Sequence, residues 1–142
     1  MTNNRERATG RRRPHPLPMD LPFLEFDLVR ELRQLHDEPT WTNGHNAKTL
    51  VKYDDFRVVL MTLRASAQVR GHKAPGRTCI HMTSGHLRVH ALGRTFDLLP
   101  GGLLAFDKEV PHDLQALEDS VLLLMIAWPG REETHVGKLC ST

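Results

Sequence analysis

A chain of 142 residues, 39% hydrophobic and 25% charged, can bury one core as a single globular domain of ordinary size. Its longest apolar run, residues 121–128, falls far short of the roughly 20 residues that cross a bilayer, so no membrane span is expected. Two cysteines cannot build a disulfide framework and no apolar stretch follows the N-terminal arginines, so no secretory signal is expected and the expected location is a reducing cytoplasm.

The net charge of +2 conceals an uneven distribution. Residues 1–13 hold five arginines against Glu6, a local charge of +4 that leaves −2 for the rest. A basic arm such as "GRRRPHP" can touch phosphates, but it carries no aromatic residue on which a base could stack. Residues 1–18 therefore read as a solvated, disordered basic tail, and a nucleic-acid partner is not expected.

After the prolines at 14, 16 and 18 the pattern changes. Leu21, Leu24, Leu28, Leu32 and Leu35 recur at spacings of three and four, which places them on one side of a helix. Asp20 is the expected cap, and "DEP" at 37–39 ends the helix because a residue before proline avoids helical angles. Residues 19–46 thus form a helix and a connecting turn, with Trp41 packed against the body beside "TNGH".

From Ala47 the period falls to two, and short apolar runs alternate with turn signals in the rhythm of an antiparallel sandwich or barrel. The pattern predicts strands over 47–53, 56–63, 68–72, 77–83, 86–91, 94–98, 103–106, 112–117 and 121–128. Turns fall at Asp54-Asp55, Ser84-Gly85, Leu92-Gly93, Pro100-Gly101 and Glu118-Asp119. No phosphate loop, Ser/His/Asp signature or βαβ alternation is present. The expected body is all-β over 47–130, with a C-terminal tail over 131–142.

Val58–Met61 and Val121–Trp128 are apolar on both faces, which an exposed wall would not tolerate. The leucine-striped helix can cover part of the outer side, and a second copy of the chain the rest. A homodimer is therefore expected.

Ala67 to Trp128 resembles the barrel of the cupin superfamily, in particular the small single-domain cupins. The first motif of that family is G-x5-H-x-H-x3,4-E-x6-G. "HKAPGRTCIHMTSG" keeps His72 and Gly85 in register, with Ala74 at the second histidine and Thr78 at the glutamate. The second motif is G-x5-P-x4-H-x3-N. "GGLLAFDKEVPHDLQA" keeps Gly101 and His112, with Asp107 at the proline and Ala116 at the asparagine. The resemblance implies a cupin-like double-stranded β-helix, or jelly-roll, barrel with an N-terminal helix. It also implies a possible class of metal-dependent dioxygenase or isomerase, in which His72 and His112 would be the surviving metal ligands.

Residues two apart on a strand share a face, and turn glycines fix the register that brings a distant histidine opposite. That geometry aims His72, Ala74, Thr78 and His112 into one cavity, but offers a divalent metal only two imidazoles, a hydroxyl and a methyl where three or four strong ligands are wanted. No cofactor is firmly expected. A pocket lined by His72, Ala74, Thr78, Met82, Phe106, His112 and Ala116 could instead take a small-molecule ligand, the alanines opening volume. A third class is a non-catalytic sensor or interaction module.

If Ser84-Gly85 is a two-residue hairpin turn, Thr83 faces His86, His81 faces Arg88 and Cys79 faces His90. Cys79, His81, His86 and His90 would then share an outer polar face opposite Ile80, Met82, Leu87 and Val89. Lys73 points away from His72 by alternation, and Cys140 has no recognisable partner base.

Overall fold

The computed structural model describes residues 22–39 and 41–127. The basic tail, Asp20, Leu21, Trp128, the C-terminal tail and Cys140 lie outside the described residues. Among the described residues one helix, α1 (Leu28–Asp37), precedes nine strands. These are β1 (His45–Lys52), β2 (Phe56–Leu63), β3 (Gln68–His72), β4 (Arg77–Ser84), β5 (Leu87–Ala91), β6 (Arg94–Leu98), β7 (Leu103–Phe106), β8 (His112–Ala116) and β9 (Ser120–Ala127). Each expected strand is present, with ends displaced by at most two residues.

The helix starts later than its leucine spacing predicts. Asp27 caps it, its carboxylate accepting from the backbone N–H of Val29 at 3.1 Å and of Arg30 at 3.3 Å. Leu24 therefore precedes the helix, and only Leu28, Leu32 and Leu35 of the stripe ride on it. A capping carboxylate that satisfies two orphan N–H groups outweighs one more apolar position at the right period.

The strands form two antiparallel sheets, β1-β2-β9-β4-β7 and β3-β8-β5-β6. Their inner faces pack together: Met61, Leu63, Ile80, Met82, Leu122 and Leu124 from the first meet Leu87, Val89, Leu98, Leu114 and Ala116 from the second. Outside the five-stranded sheet, Leu35 of α1 is fully buried against Leu60 and Val121, with Leu32, Leu50 and Leu123 around them. Apolar residues on both faces of β2 and β9 are thus explained on one side by the core and on the other, in part, by the helix.

The expected hairpin at Ser84-Gly85 does not form. β4 and β5 lie in different sheets, so Thr83–His86, His81–Arg88 and Cys79–His90 are not neighbours. The chain crosses from one sheet to the other at Gly85, whose φ of +91° is left-handed and whose added Cβ would come within 2.4 Å of the Asp119 carbonyl and the Ser120 hydroxyl. Ser120 closes the crossing by accepting from the His86 N–H at 3.1 Å. Cys79 and His81 consequently face outward from the five-stranded sheet and His86 and His90 from the four-stranded one, which splits the single histidine face expected from the sequence. Asp97 accepts from Arg88 at 2.8 Å and lies 3.1 Å from His86 Nε2; those bonds hold its carboxyl below the usual carboxylate range.

Candidate functional site

One residue of β3 builds the site. Val69 pairs with Leu114 and His72 with His112, so Arg70 and Gly71 together stand against the single Asp113. This bulge reverses the side-chain alternation once. Without it, His72 and Val69, three apart, would point to opposite sides; with it both face inward. Gly71 supplies the required left-handed backbone at φ +61°, and its N–H donates to Asp113 Oδ1 at 2.6 Å.

The result is a pair of imidazoles at the mouth of the barrel. His72 Nδ1 lies 3.3 Å from His112 Nε2, with the rings 5.1 Å apart and nearly edge-on. His112 Nδ1 lies 3.0 Å from the carbonyl of Val110. A carbonyl only accepts, so Nδ1 of His112 carries a proton, and in the neutral pair its Nε2 presents a lone pair to which the Nδ1–H of His72 donates. Phe106 stacks on the other side of His112, ring centres 4.5 Å apart and 8° from parallel. Thr78 is the cross-strand partner of Phe106, buried, its hydroxyl donating to the carbonyl of Gly76 at 3.4 Å. His112 is 4% exposed whereas His72 is half-buried. Burial first, and the neighbouring His112 second, push the His72 imidazole below its ordinary value.

Of the seven residues expected in the pocket, His72, Thr78, Phe106 and His112 are linked in this way. Ala74 is buried in the β3–β4 connection, where its carbonyl accepts from the N–H of Glu109 at 3.0 Å. Met82 and Ala116 lie elsewhere: each is four residues further along its strand, roughly 13 Å deeper, fully buried in the packed core. Ala116 therefore opens no volume; its methyl fills a place among larger neighbours. Asp107, at the proline position of the second motif, ties the ends of β4 and β7 by accepting from Arg77 Nε at 3.1 Å. The Lys108 N–H, foremost, and Arg77 keep its carboxyl low.

Sequence reasoning missed a hollow of about 240 Å³ at the rim, where His112 meets Ala91, Leu92, Gly93, Pro111 and Asp113. Leu92-Gly93 is legible as a turn. Its nearness to Pro111 follows only from the pairing of Ala91 with His112, a contact between strands distant in the chain.

A divalent transition ion does not fit this set. Among the described residues no three His, Cys, Asp or Glu side chains converge, and the two ring nitrogens that face each other are already joined through a proton. An ion held by two imidazoles alone lacks the ligand count for tight binding.

No protein-family model and no curated protein sequence matches the chain. Solved structures do match in fold. Salicylate 1,2-dioxygenase from Pseudoaminobacter salicylatoxidans, in adducts with gentisate, superposes at a TM-score of 0.68 and 19% identity over 95% of this chain. This chain spans only 41% of that enzyme. KdgF from Halomonas sp. matches at 0.62 and 20% identity, covering 78% of this chain and 98% of that one. A cupin superfamily protein from Desulfitobacterium hafniense DCB-2 matches at 0.61 and 16%, covering 75% and 94%. Two opposed antiparallel sheets, in the strand orders β1-β2-β9-β4-β7 and β3-β8-β5-β6, form a jelly-roll barrel. The chain has the cupin fold. Among the described residues no helix is long and apolar enough to cross a membrane.

Proposed function

We propose that the chain binds a small molecule at the mouth of the barrel, using the His72–His112 pair for polar recognition and Phe106 as an apolar wall, without a firmly held metal. The observation that carries this reading is the 3.3 Å contact between the two imidazoles in the absence of a third coordinating side chain among the described residues. With His112 Nδ1 and Nε2 and His72 Nδ1 engaged, His72 Nε2 is the nitrogen left to accept from a ligand. Ligand sites combine a few such polar points with apolar walls, and a hollow of about 240 Å³ reaches His112 from the side of His90, Ala91 and Asp113.

The likeness to salicylate 1,2-dioxygenase over 95% of this chain favours a second reading, a metal-dependent enzyme with His72 and His112 as ligands. Elemental analysis and native mass spectrometry of the purified protein separate the two. A co-purifying organic mass with no stoichiometric metal supports the first. Near-stoichiometric iron, manganese, nickel or zinc that vanishes in the His72→Ala, His112→Ala double variant supports the second.

A homodimer completes the proposal. Phe56, Val58, Met125 and Leu103 share the outer face of the five-stranded sheet beside the helix, and Phe56 and Leu103 are 38% and 61% exposed. A self-complementary contact between two such faces would bury them.

A further inference from the structure

The opposite end of the barrel holds a second cleft, of about 320 Å³, between the last turn of α1 and the far ends of β2, β4 and β9. Ser84 lines it, six residues along β4 from Thr78, so roughly 20 Å separates it from the histidine pair. Its volume falls within the range of small-molecule sites.

Two opposite charges line this cleft, Arg64 and Asp119, and each is positioned without being neutralised. The guanidinium of Arg64 rests 4.1 Å from the centre of the Trp41 ring. Trp41 is itself fixed: its indole N–H donates to the His36 carbonyl at 3.3 Å and its ring stacks on the His36 imidazole, 14° from parallel. His36 is held in turn by Thr62, whose hydroxyl lies 3.2 Å from Nε2. On the other wall, Asp119 Oδ1 accepts from the N–H of Ala65 at 2.8 Å, which orients the carboxylate and leaves its second oxygen uncommitted. The ion pairs among the described residues include neither Arg64 nor Asp119. Stacking on an indole leaves the guanidinium edge free to donate in the plane of a carboxylate.

A simple anion entering the cleft would meet Arg64 but be opposed by Asp119, and a simple amine the reverse. A molecule carrying both charges satisfies both walls. Leu32 and Val121, which also line the space, offer apolar surface between them. We propose that this cleft binds a free α-amino acid with an apolar side chain. Arg64 takes its carboxylate, Asp119 its ammonium, and Leu32 and Val121 its side chain. Prior positioning of both charged groups removes part of the ordering cost of binding.

The test is calorimetric titration of the full chain with L-leucine, 4-methylpentanoate, which lacks the ammonium, and 3-methylbutylamine, which lacks the carboxylate. A Trp128→Phe chain, in which Trp41 is the remaining tryptophan, gives an independent fluorescence readout. Leucine is expected to bind saturably at one per chain, with each control weaker by about tenfold or more, the loss of one charge-assisted contact. Arg64→Gln and Asp119→Asn should each weaken leucine by the same factor, the asparagine still accepting from the Ala65 N–H. His72→Ala should leave leucine binding unchanged. Absence of leucine binding at millimolar concentration, equal binding of all three compounds, or undiminished binding to Arg64→Gln would each overturn the proposal.

Discussion

His112 Nε2 accepts from His72 Nδ1 because the Val110 carbonyl accepts from the Nδ1–H of the same ring, so a backbone carbonyl sets the polarity of the pair. His112 is also stacked on Phe106 and almost fully buried, while His72 is only half-buried. Removing the two rings should therefore have unequal effects. His112→Ala is expected to destabilise the fold by about 2–4 kcal/mol, the range for emptying a buried ring site, and His72→Ala by about 1 kcal/mol. Urea denaturation of the two variants measures the difference, and equal losses would count against the stacked arrangement.

Acid should weaken the protein through His72. Burial and the neighbouring His112 lower its folded value below the ordinary 6.5. As the pH falls through 6.5, the unfolded chain takes up this proton before the folded one does. Stability from this group is therefore complete above 6.5, is lost on the way down to the lowered folded value, and changes no further below it. A His72→Gln chain should show a flatter decline in urea midpoint between about pH 7.5 and pH 5. A decline as steep as that of the parent would place the titration elsewhere.

Glycine replacements distinguish backbone strain from steric exclusion. Gly71→Ala meets nothing within 4 Å, so its loss should be the left-handed backbone term alone, about 1–2 kcal/mol. Gly85→Ala adds a Cβ 2.4 Å from the Asp119 carbonyl and 2.6 Å from Ser120 Cα, and should lose clearly more, on the order of 3 kcal/mol or above. Thermal melts of both proteins test the order.

The helix is attached by packing more than by its cap. Asp27→Ala should cost about 1 kcal/mol, whereas Leu35→Ala, at a fully buried side chain, should cost about 2–5 kcal/mol. Amide exchange should report faster opening of α1 in the leucine variant; the reverse order would mean that the helix is held chiefly from its N-terminus.

The proposed dimer can be checked by light scattering at micromolar concentration. A mass of two chains that falls to one when Leu103→Lys and Phe56→Lys are combined is the expected result. A single chain in the parent protein would leave the outer sheet face without this partner.

Period-two runs and turn residues made all nine strands legible, because both signals are local. The distribution of strands between the two sheets was not. Ser84-Gly85 has the composition of a tight hairpin, and only the close approach of Asp119 and Ser120, 34 residues or more away, shows that it is a crossing. The convergence of His72 and His112 was legible through motif spacing, whereas the bulge that turns His72 inward had a signal in Gly71, a lone glycine inside the expected strand, that the alternation argument passed over. Ala116 was misplaced because a small residue at a ligand position suggests space, whereas packing had already filled it.

The most direct test of the account is nitrogen-15 NMR of the histidine side chains with and without one equivalent of zinc(II). The account predicts a neutral His112 protonated at Nδ1, hydrogen-bonded to His72 through Nε2, and both rings unaltered by the ion at micromolar concentration. Stoichiometric conversion of both rings to metal-bound nitrogens, or a His112 protonated at Nε2, would contradict it.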